Sequence, residues 1–353
     1  MSAGGAGMGR RSDADGDDDA GPDDAAPPRP RPLLHAALFL ATFLTTTATG
    51  ALHEHDFDRI APISDGLLYS VPLMLILLCH ELGHYLVARW HGVPASLPYF
   101  IPLPPGLGFG TLGAVIGMRS STTDRKQLID VGAAGPLAGL AVAIPLLIYG
   151  LKLSTVGPLA SGIQEGNSLL YALLKWMVKG AWLPDGVSDV RLHPIAFASW
   201  VGLLITMINL LPVGQLDGGH IASAYFGNGY NRFAERLRKL LPIGAAAVFF
   251  WVLHSVKLEA RSAWRLGPGA LIALNGAAPW VMWFFLLGLM RRMSGGVNHP
   301  PVDDKPLPPS RRLLFWVMVV VFVAVLVPVP LRRIFVGAPE PPDSTSISAN
   351  LGP

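Results

Sequence analysis

An all-α polytopic membrane protein, with about seven transmembrane helices and one short re-entrant β-hairpin, is the fold class this sequence predicts. Three observations predict it. Of 353 residues, 51% are hydrophobic and only 14% charged, against about 25% charged in an ordinary soluble domain. Apolar runs of roughly bilayer-crossing length recur from Leu33 to Val329, with clusters of arginine and lysine between them. One stretch between two such runs holds Pro94, Pro98, Pro102, Pro104 and Pro105 and then alternates residue by residue, which no helix does. The net charge of +3 is small, and its basic residues sit where they set topology rather than in a nucleic-acid-binding stripe. The single cysteine, Cys79, excludes an intrachain disulfide and a cysteine-based zinc site. It points about 100° around a helix from its neighbour His80 and reads as a small packing residue.

Residues 1–32 are rich in Gly, Asp, Pro and Ala, and a disordered tail is expected there. The first apolar span is 33–52. A signal peptide competes with that reading, because Ala48-Thr49-Gly50-Ala51 loosely resembles a cleavage site; the long acidic region before it favours an uncleaved anchor, which with its loop makes up 33–65. Further spans are expected at 67–90, 128–151, 195–211, 240–253, 277–290 and 313–329. Residues 169–178 are apolar but short and hold Lys175, so they read as interfacial or partly inserted. Residues 300–309 form a Pro-rich linker, and 334–353 an unstructured tail.

Arg10, Arg11, Arg29 and Arg31 precede the first span; Arg89, Arg119, Arg125 and Lys126 follow the second. Arg232, Arg236, Arg238 and Lys239 follow the fourth, and Arg291, Arg292, Arg311 and Arg312 separate the sixth from the seventh. All four clusters fall on one side if the amino terminus is cytoplasmic. A multi-pass protein of the cell (inner) membrane is expected.

Within the second span lies His80-Glu81-Leu82-Gly83-His84. Residues i and i+4 share a helix face, so His80 and His84 can present two imidazoles to one metal ion, with Glu81 beside it. A charged residue at the centre of a span costs about 2.5–3.5 kcal/mol, so a compensating partner is expected, and bound zinc is such a partner. Hydrolytic zinc takes three protein ligands and leaves a position for water. The fourth span ends Asn209-Leu210-Leu211-Pro212-Val213-Gly214-Gln215-Leu216-Asp217-Gly218-Gly219-His220, where Pro212 and the glycines unwind the helix. Asp217 then falls at the depth that charge counting gives His80 and His84, which makes it the third ligand rather than a turn residue. Near the site, His91 and His220 read as polar residues at a membrane boundary that could line a path for water; His53, Glu54 and His55 fall in a loop on the opposite side and read as solvated.

The sequence resembles the site-2 protease family of intramembrane zinc metalloproteases. The resemblance rests on His80-Glu81-Leu82-Gly83-His84, Gly110-Thr111-Leu112-Gly113 after a proline-rich loop, Gly135-Pro136-Leu137-Ala138-Gly139 in the third span, and Asn209-x-x-Pro212 leading to Leu216-Asp217-Gly218, in that order. It covers about residues 66–225, a catalytic membrane core followed by additional helices over 226–333. It implies peptide-bond hydrolysis in or near a transmembrane segment of a single-span membrane-protein substrate, within the lipid bilayer. By that resemblance His80, His84 and Asp217 bind Zn2+, Glu81 is the general base, and Asn209 hydrogen-bonds substrate or intermediate. The stretch 152–194 is too short for the PDZ domain that many relatives insert (about 80–100 residues), and no soluble regulatory domain is expected after the last span.

Thr111-Leu112-Gly113-Ala114-Val115-Ile116-Gly117-Met118 alternates with period two and reads as a strand. Its glycines admit another backbone, so Gly113, Ala114 and Val115 are expected to bind substrate by strand addition. Non-helical backbone at membrane depth must be buried in protein or line a wet cavity, hence the re-entrant hairpin; a surface hairpin without substrate contact is the alternative. Two other classes stay open. A zinc-binding inactive relative acting as a scaffold has no chemical need for Glu81, and a polytopic metal transporter calls for more acidic residues in the later spans than the near-absence found around His254.

Overall fold

The computed structural model describes residues 31–53, 63–117, 124–159, 162–259, 266–293 and 299–334. The tails expected at 1–32 and 334–353 lie outside the described residues except at their innermost positions, as do Glu54 and His55. Each of the seven expected apolar segments contains a helix: α1 (Pro32–His53), α2 (Ile63–Trp90), α3 (Arg125–Leu153), then, after a short α4 (Leu169–Lys179), α5 (Pro194–Asn209), and, after α6 (Asp217–Phe226), α7 (Tyr230–Glu259), α8 (Leu266–Met293) and α9 (Pro309–Val325). Among the described residues, four helical stretches are long and apolar enough to cross a membrane: 32–52, 63–90, 125–153 and the α6–α7 run 217–254. Helix α5 has 16 residues, a rise of about 24 Å against a hydrocarbon core of about 30 Å. The chain is a predominantly helical membrane protein.

Helix α3 is the spine. The Asp124 carboxylate caps its start by accepting from the Lys126 and Gln127 amides, and it packs on α2, α5 and α6. Its contact with α2 is close because the facing residues are small. A Cβ on Gly83 would lie 2.6 Å from the Ala134 carbonyl oxygen and 2.9 Å from the Ala138 Cβ, an approach that only small residues permit. Leu73, Ile76 and Leu77 of α2, Leu140 and Leu147 of α3, and Trp200 and Leu203 of α5 share one core.

Strands β1 (Tyr99–Pro102) and β2 (Thr111–Val115) form the antiparallel hairpin after α2. Strict alternation fails in β2: Thr111, Gly113 and Ala114 are buried while Leu112 and Val115 are exposed. The reason is a bulge, with Phe100 opposite Ala114 and Pro102 opposite Thr111, so that Leu112 and Gly113 together face Ile101. Gly113 takes φ +101 there, which suits glycine at a bulge. The hairpin runs alongside the helices. Its base at Ser96 and Gly117 is closed by a backbone hydrogen bond of 2.9 Å, and Gly113 lies against Ile205 of α5. At the tip, Phe109 meets Phe197 and Trp200, and its carbonyl accepts from the Tyr69 hydroxyl, eleven residues before His80 on α2.

The end of α5 that the hairpin tip reaches is covered by α4 and two small antiparallel sheets, β3 (Thr155–Pro158) with β5 (Ser188–Arg191), and β4 (Gly162–Glu165) with β6 (Leu331–Ile334), the Trp200 indole donating to the Gly166 carbonyl after β4. Lys175 is buried within the protein. It is 1% exposed, 3.7 Å from both Glu165 and Asp189, and over the Tyr171 ring. Burial pushes the Glu165 carboxyl above its usual range, and the Lys175 ammonium opposes that rise. The lysine's partners lie in strands outside α4, so the helix sequence alone gives no sign of them.

Residues 300–309 also differ from a free linker. Val302 and Leu307 are buried, Asn228 donates to Asp304, and the Arg125 guanidinium bridges the Lys305 carbonyl and the Ala224 and Tyr225 carbonyls at the end of α6. The segment is strapped across the ends of α3 and α6, and it delivers Arg311 to Asp130 of α3 in a two-pronged pair of 3.0 and 2.9 Å.

Candidate metal centre

The metal-ligand candidates come from two helices. His80 and His84 sit one turn apart on α2, and Asp217 is the first residue of α6, immediately after the unwound stretch 210–216. That stretch folds back tightly on α6: a Cβ on Gly218 would lie 2.1 Å from the Leu210 carbonyl oxygen. Asp217 therefore enters the site at a helix N-terminus, where the peptide dipoles favour a carboxylate. His80 Nε2 lies 3.1 Å from Asp217 Oδ2, His84 Nε2 lies 3.2 Å from Asp217 Oδ1, and the two Nε2 atoms are 3.2 Å apart. His80, Glu81 and His84 are 3%, 4% and 5% exposed. The three ligand candidates are the group whose donor atoms converge closely enough to hold a metal ion among the described residues.

The donor chemistry fits zinc. His84 Nδ1–H donates to the Val131 carbonyl at 2.7 Å, a bond that only the Nδ1-protonated ring can make. In the neutral ring Nε2 then bears a lone pair, directed at a carboxylate oxygen and a second imidazole nitrogen. With His80 Nε2 likewise unprotonated, the three donor atoms form a set that a single cation would hold together. Tetrahedral zinc with bonds of about 2.0–2.1 Å needs donors about 3.3 Å apart, close to the separations observed. Helix α3 leaves room for the ring. A Cβ on Gly135 would fall 2.0 Å from His84 Nε2, and one on Gly139 would come within 3.3 Å of His80 Cβ and Nδ1. Asn209, at the end of α5, directs its Nδ2–H toward His80 Nε2 at 3.3 Å.

A family model for peptidase family M50 matches residues 68–251, just over half of the chain. The chain belongs to peptidase family M50. This is the site-2 protease family whose signatures the sequence carries. M50 relatives include "Probable zinc metalloprotease EGY1, chloroplastic" of Arabidopsis thaliana, 36% identical over 51% of this chain and 34% of that protein. "Probable zinc metalloprotease EGY2, chloroplastic" of the same plant is 33% identical over 56% of this chain and 36% of that protein. "Probable zinc metalloprotease EGY3, chloroplastic" of Oryza sativa subsp. indica is 27% identical over 75% and 42%. The chain spans about a third of the length of the first two. The M50 match begins after α1 and ends within α7, so the strap and α9 lie beyond it.

Of the other expected site residues in this M50 chain, Gly113, Ala114 and Val115 lie on β2, with Gly113 against Ile205 of α5, one turn before Asn209. His91 is a satisfied polar residue: its Nε2 is 3.1 Å from Asp130 Oδ2, on the carboxylate that Arg311 clamps. His220 pairs through Nδ1 with His299 Nε2 at 2.9 Å, and His299 Nδ1–H donates to the Pro300 carbonyl. Three participants escaped sequence reading. The Val131 carbonyl has no side-chain signal. His299 lies one residue before the stretch 300–309 that read as linker. Asp130, an acidic group inside an apolar run, was the one detectable sign, since such a residue demands a partner. Removing that partner with Arg311→Met is expected to destabilise the fold by about 1.5–3 kcal/mol, the range for hydrogen bonds to charged groups. The readout is the thermal midpoint in detergent, and Arg311→Lys, without the planar fork, should recover only part of the loss. An unchanged midpoint in Arg311→Met would remove the clamp from this account.

Proposed function

We propose that this M50 chain is a zinc-dependent intramembrane endopeptidase that cleaves a single-span membrane protein in or near its transmembrane segment. The observation that carries the reading is the convergence of His80, His84 and Asp217 on one buried point inside a span-like helix, with Glu81 beside them. Zinc held there supplies Lewis acidity, acidifying a water and polarising a carbonyl oxygen. Glu81 accepts a proton from the attacking water as oxygen adds to the scissile carbonyl carbon, and returns it to the amine nitrogen as the C–N bond breaks. Asn209 directs its amide N–H at the same point and holds substrate or intermediate oxygen. The Val131 carbonyl fixes the His84 tautomer and ring orientation.

A protease needs an extended peptide, and β2 supplies an edge for one through Gly113, Ala114 and Val115. The run of the hairpin from Ser96 past Ile205 to Tyr69 supports a re-entrant position among seven membrane-crossing helices. Orientation follows from charge: Arg125 and Arg311 gather with Arg89 at the metal end of the helices, which supports a cytoplasmic amino terminus and release of the substrate's cytoplasmic part. Residues 66–225 form the catalytic core and 226–333 the additional helices, in the cell (inner) membrane. An inactive scaffold gains no support, because Glu81 stands beside the ligand candidates, and a metal transporter gains none, because the later spans are nearly without acidic residues.

The test is metal content. Purified protein should hold about one zinc per chain, and the His80→Ala/His84→Ala double variant should hold none while keeping its helical content. Full zinc occupancy in the double variant would sink the ligand assignment.

A further inference from the structure

Helix α1 precedes the residues that the M50 model matches, and its threonines are unusually dense: Thr42, Thr45, Thr46, Thr47 and Thr49. Most are satisfied within the helix, with Thr46 donating to the Thr42 carbonyl and Thr49 to the Thr45 carbonyl. Thr45 differs. Its hydroxyl reaches the Gly110 carbonyl at the hairpin tip at 2.7 Å, shorter than its 3.1 Å approach to the Thr42 carbonyl.

A hairpin tip leaves backbone carbonyls without ladder partners, and beside apolar helices no bulk water replaces those partners. Here the Phe109 carbonyl is met by the buried Tyr69 of α2, and the Gly110 carbonyl, which accepts from the Leu103 amide at 3.1 Å where the ladder closes, takes a second and shorter bond from Thr45 of α1. The seating is close. Gly110 has φ +79, and a Cβ on it would meet Thr49 Oγ1 at 2.6 Å and the Thr45 carbonyl oxygen and Thr46 Cα at 2.8 Å. Helix α1 also holds the other end of β1, where His35 Nδ1–H donates to the Pro98 carbonyl at 3.0 Å and Phe39 sets its edge on Phe100. Strand β1 is thus covered by α1 along its length. Strand β2 pairs only with β1 among the described residues and exposes Leu112 and Val115.

We infer that α1 is a working part of the substrate site, and that Thr45 and Tyr69 are positioning residues that lock the hairpin tip so that β2 offers a rigid free edge to an extended substrate. The inference rests on the proposed proteolysis and deepens it. Neither residue touches the reacting atoms; both act through the strand.

The test uses full-length protein in proteoliposomes with a single-span reporter peptide. Thr45→Val and Tyr69→Phe keep size and apolarity and remove one donor each. Tyr69→Phe is expected to raise KM roughly five- to thirty-fold, the cost of one unmet buried carbonyl, and Thr45→Val, which leaves the Gly110 carbonyl its Leu103 bond, about two- to tenfold, the net worth of one hydrogen bond, with kcat within about threefold, zinc content unchanged, and Thr45→Ser restoring the wild-type value. A second readout separates positioning from general weakening. Reporters in which single backbone amides near the scissile bond are replaced by esters lose strand hydrogen bonds, so the worst ester should penalise wild type by about tenfold and Thr45→Val by much less. Wild-type KM in both variants, or equal ester penalties in wild type and variant, would overturn the positioning role while leaving the protease reading intact. Zinc-loaded wild type that cleaves no membrane-spanning reporter would overturn the protease reading itself, and this inference with it.

Discussion

Alanine at Gly135 is expected to abolish both metal binding and hydrolysis, although it adds a single methyl group. That methyl would fall 2.0 Å from His84 Nε2 and 2.4 Å from the ring Cδ2, inside the imidazole itself. The ring cannot swing aside and keep its Nδ1–H bond to Val131, and α3 cannot retreat while Gly83 rests on Ala134. Interiors packed to crystal density do not absorb such an overlap. Zinc affinity should fall by more than about a hundredfold, beyond the 10–100-fold effect of losing an outer hydrogen-bond partner, as measured by competition with a chelator of known affinity. Gly139→Ala supplies the scale, since its methyl would stand 3.3 Å from His80 Cβ and Nδ1, a contact that a small shift relieves. Its effect should be less than about tenfold. Equal zinc affinity in Gly135→Ala and wild type would mean that α2 and α3 do not meet as described.

Glu81→Gln is expected to lower the cleavage rate by about 10³-fold or more, within or above the 10²–10⁴ typical of a positioned acid–base group. The amide is isosteric with the carboxyl and cannot take the water's proton. The proposed ligand set His80, His84 and Asp217 is untouched, so zinc should stay at about one per chain. The two effects together separate Glu81 from the ligands: a fourth ligand would lose metal, and a packing residue would lose neither metal nor rate. A Glu81→Gln protein that turns over substrate at more than about a tenth of the wild-type rate would remove Glu81 from the chemistry.

How much of this was legible in the sequence depends on the distance over which each interaction acts. His80, Glu81 and His84 lie within one helical turn, so their spacing alone carries their shared face. Asp217 stands 137 residues from His80, and could be found only because Pro212 and three glycines mark an unwound helix end and because the family signature repeats there. Proline content and period two gave the hairpin, but not the bulge at Gly113, which arises from pairing against Ile101 and is invisible in β2 alone. The strap was read as a linker for a similar reason. Its prolines and charges look solvent-bound until Arg125, Asn228 and Asp130 are known to face it. The burial of Lys175 is equally hidden, because it depends on Glu165 and Asp189, neither of which is in its own helix.

The same separations set the order in which the protein can be built. Ribosomes add about 5–20 residues per second, so Asp217 is synthesised roughly 7–27 s after His80, and Arg311, 181 residues beyond Asp130, roughly 9–36 s after it. Throughout that interval α2 carries His80, Glu81 and His84, and α3 carries Asp130, without the groups that later neutralise them. Metal capture by the three proposed ligands has to follow the arrival of α6, and the clamp that ties the start of α9 to α3 closes later still. During assembly this chain therefore passes through a stage in which its most polar helices are already made and its site cannot yet work.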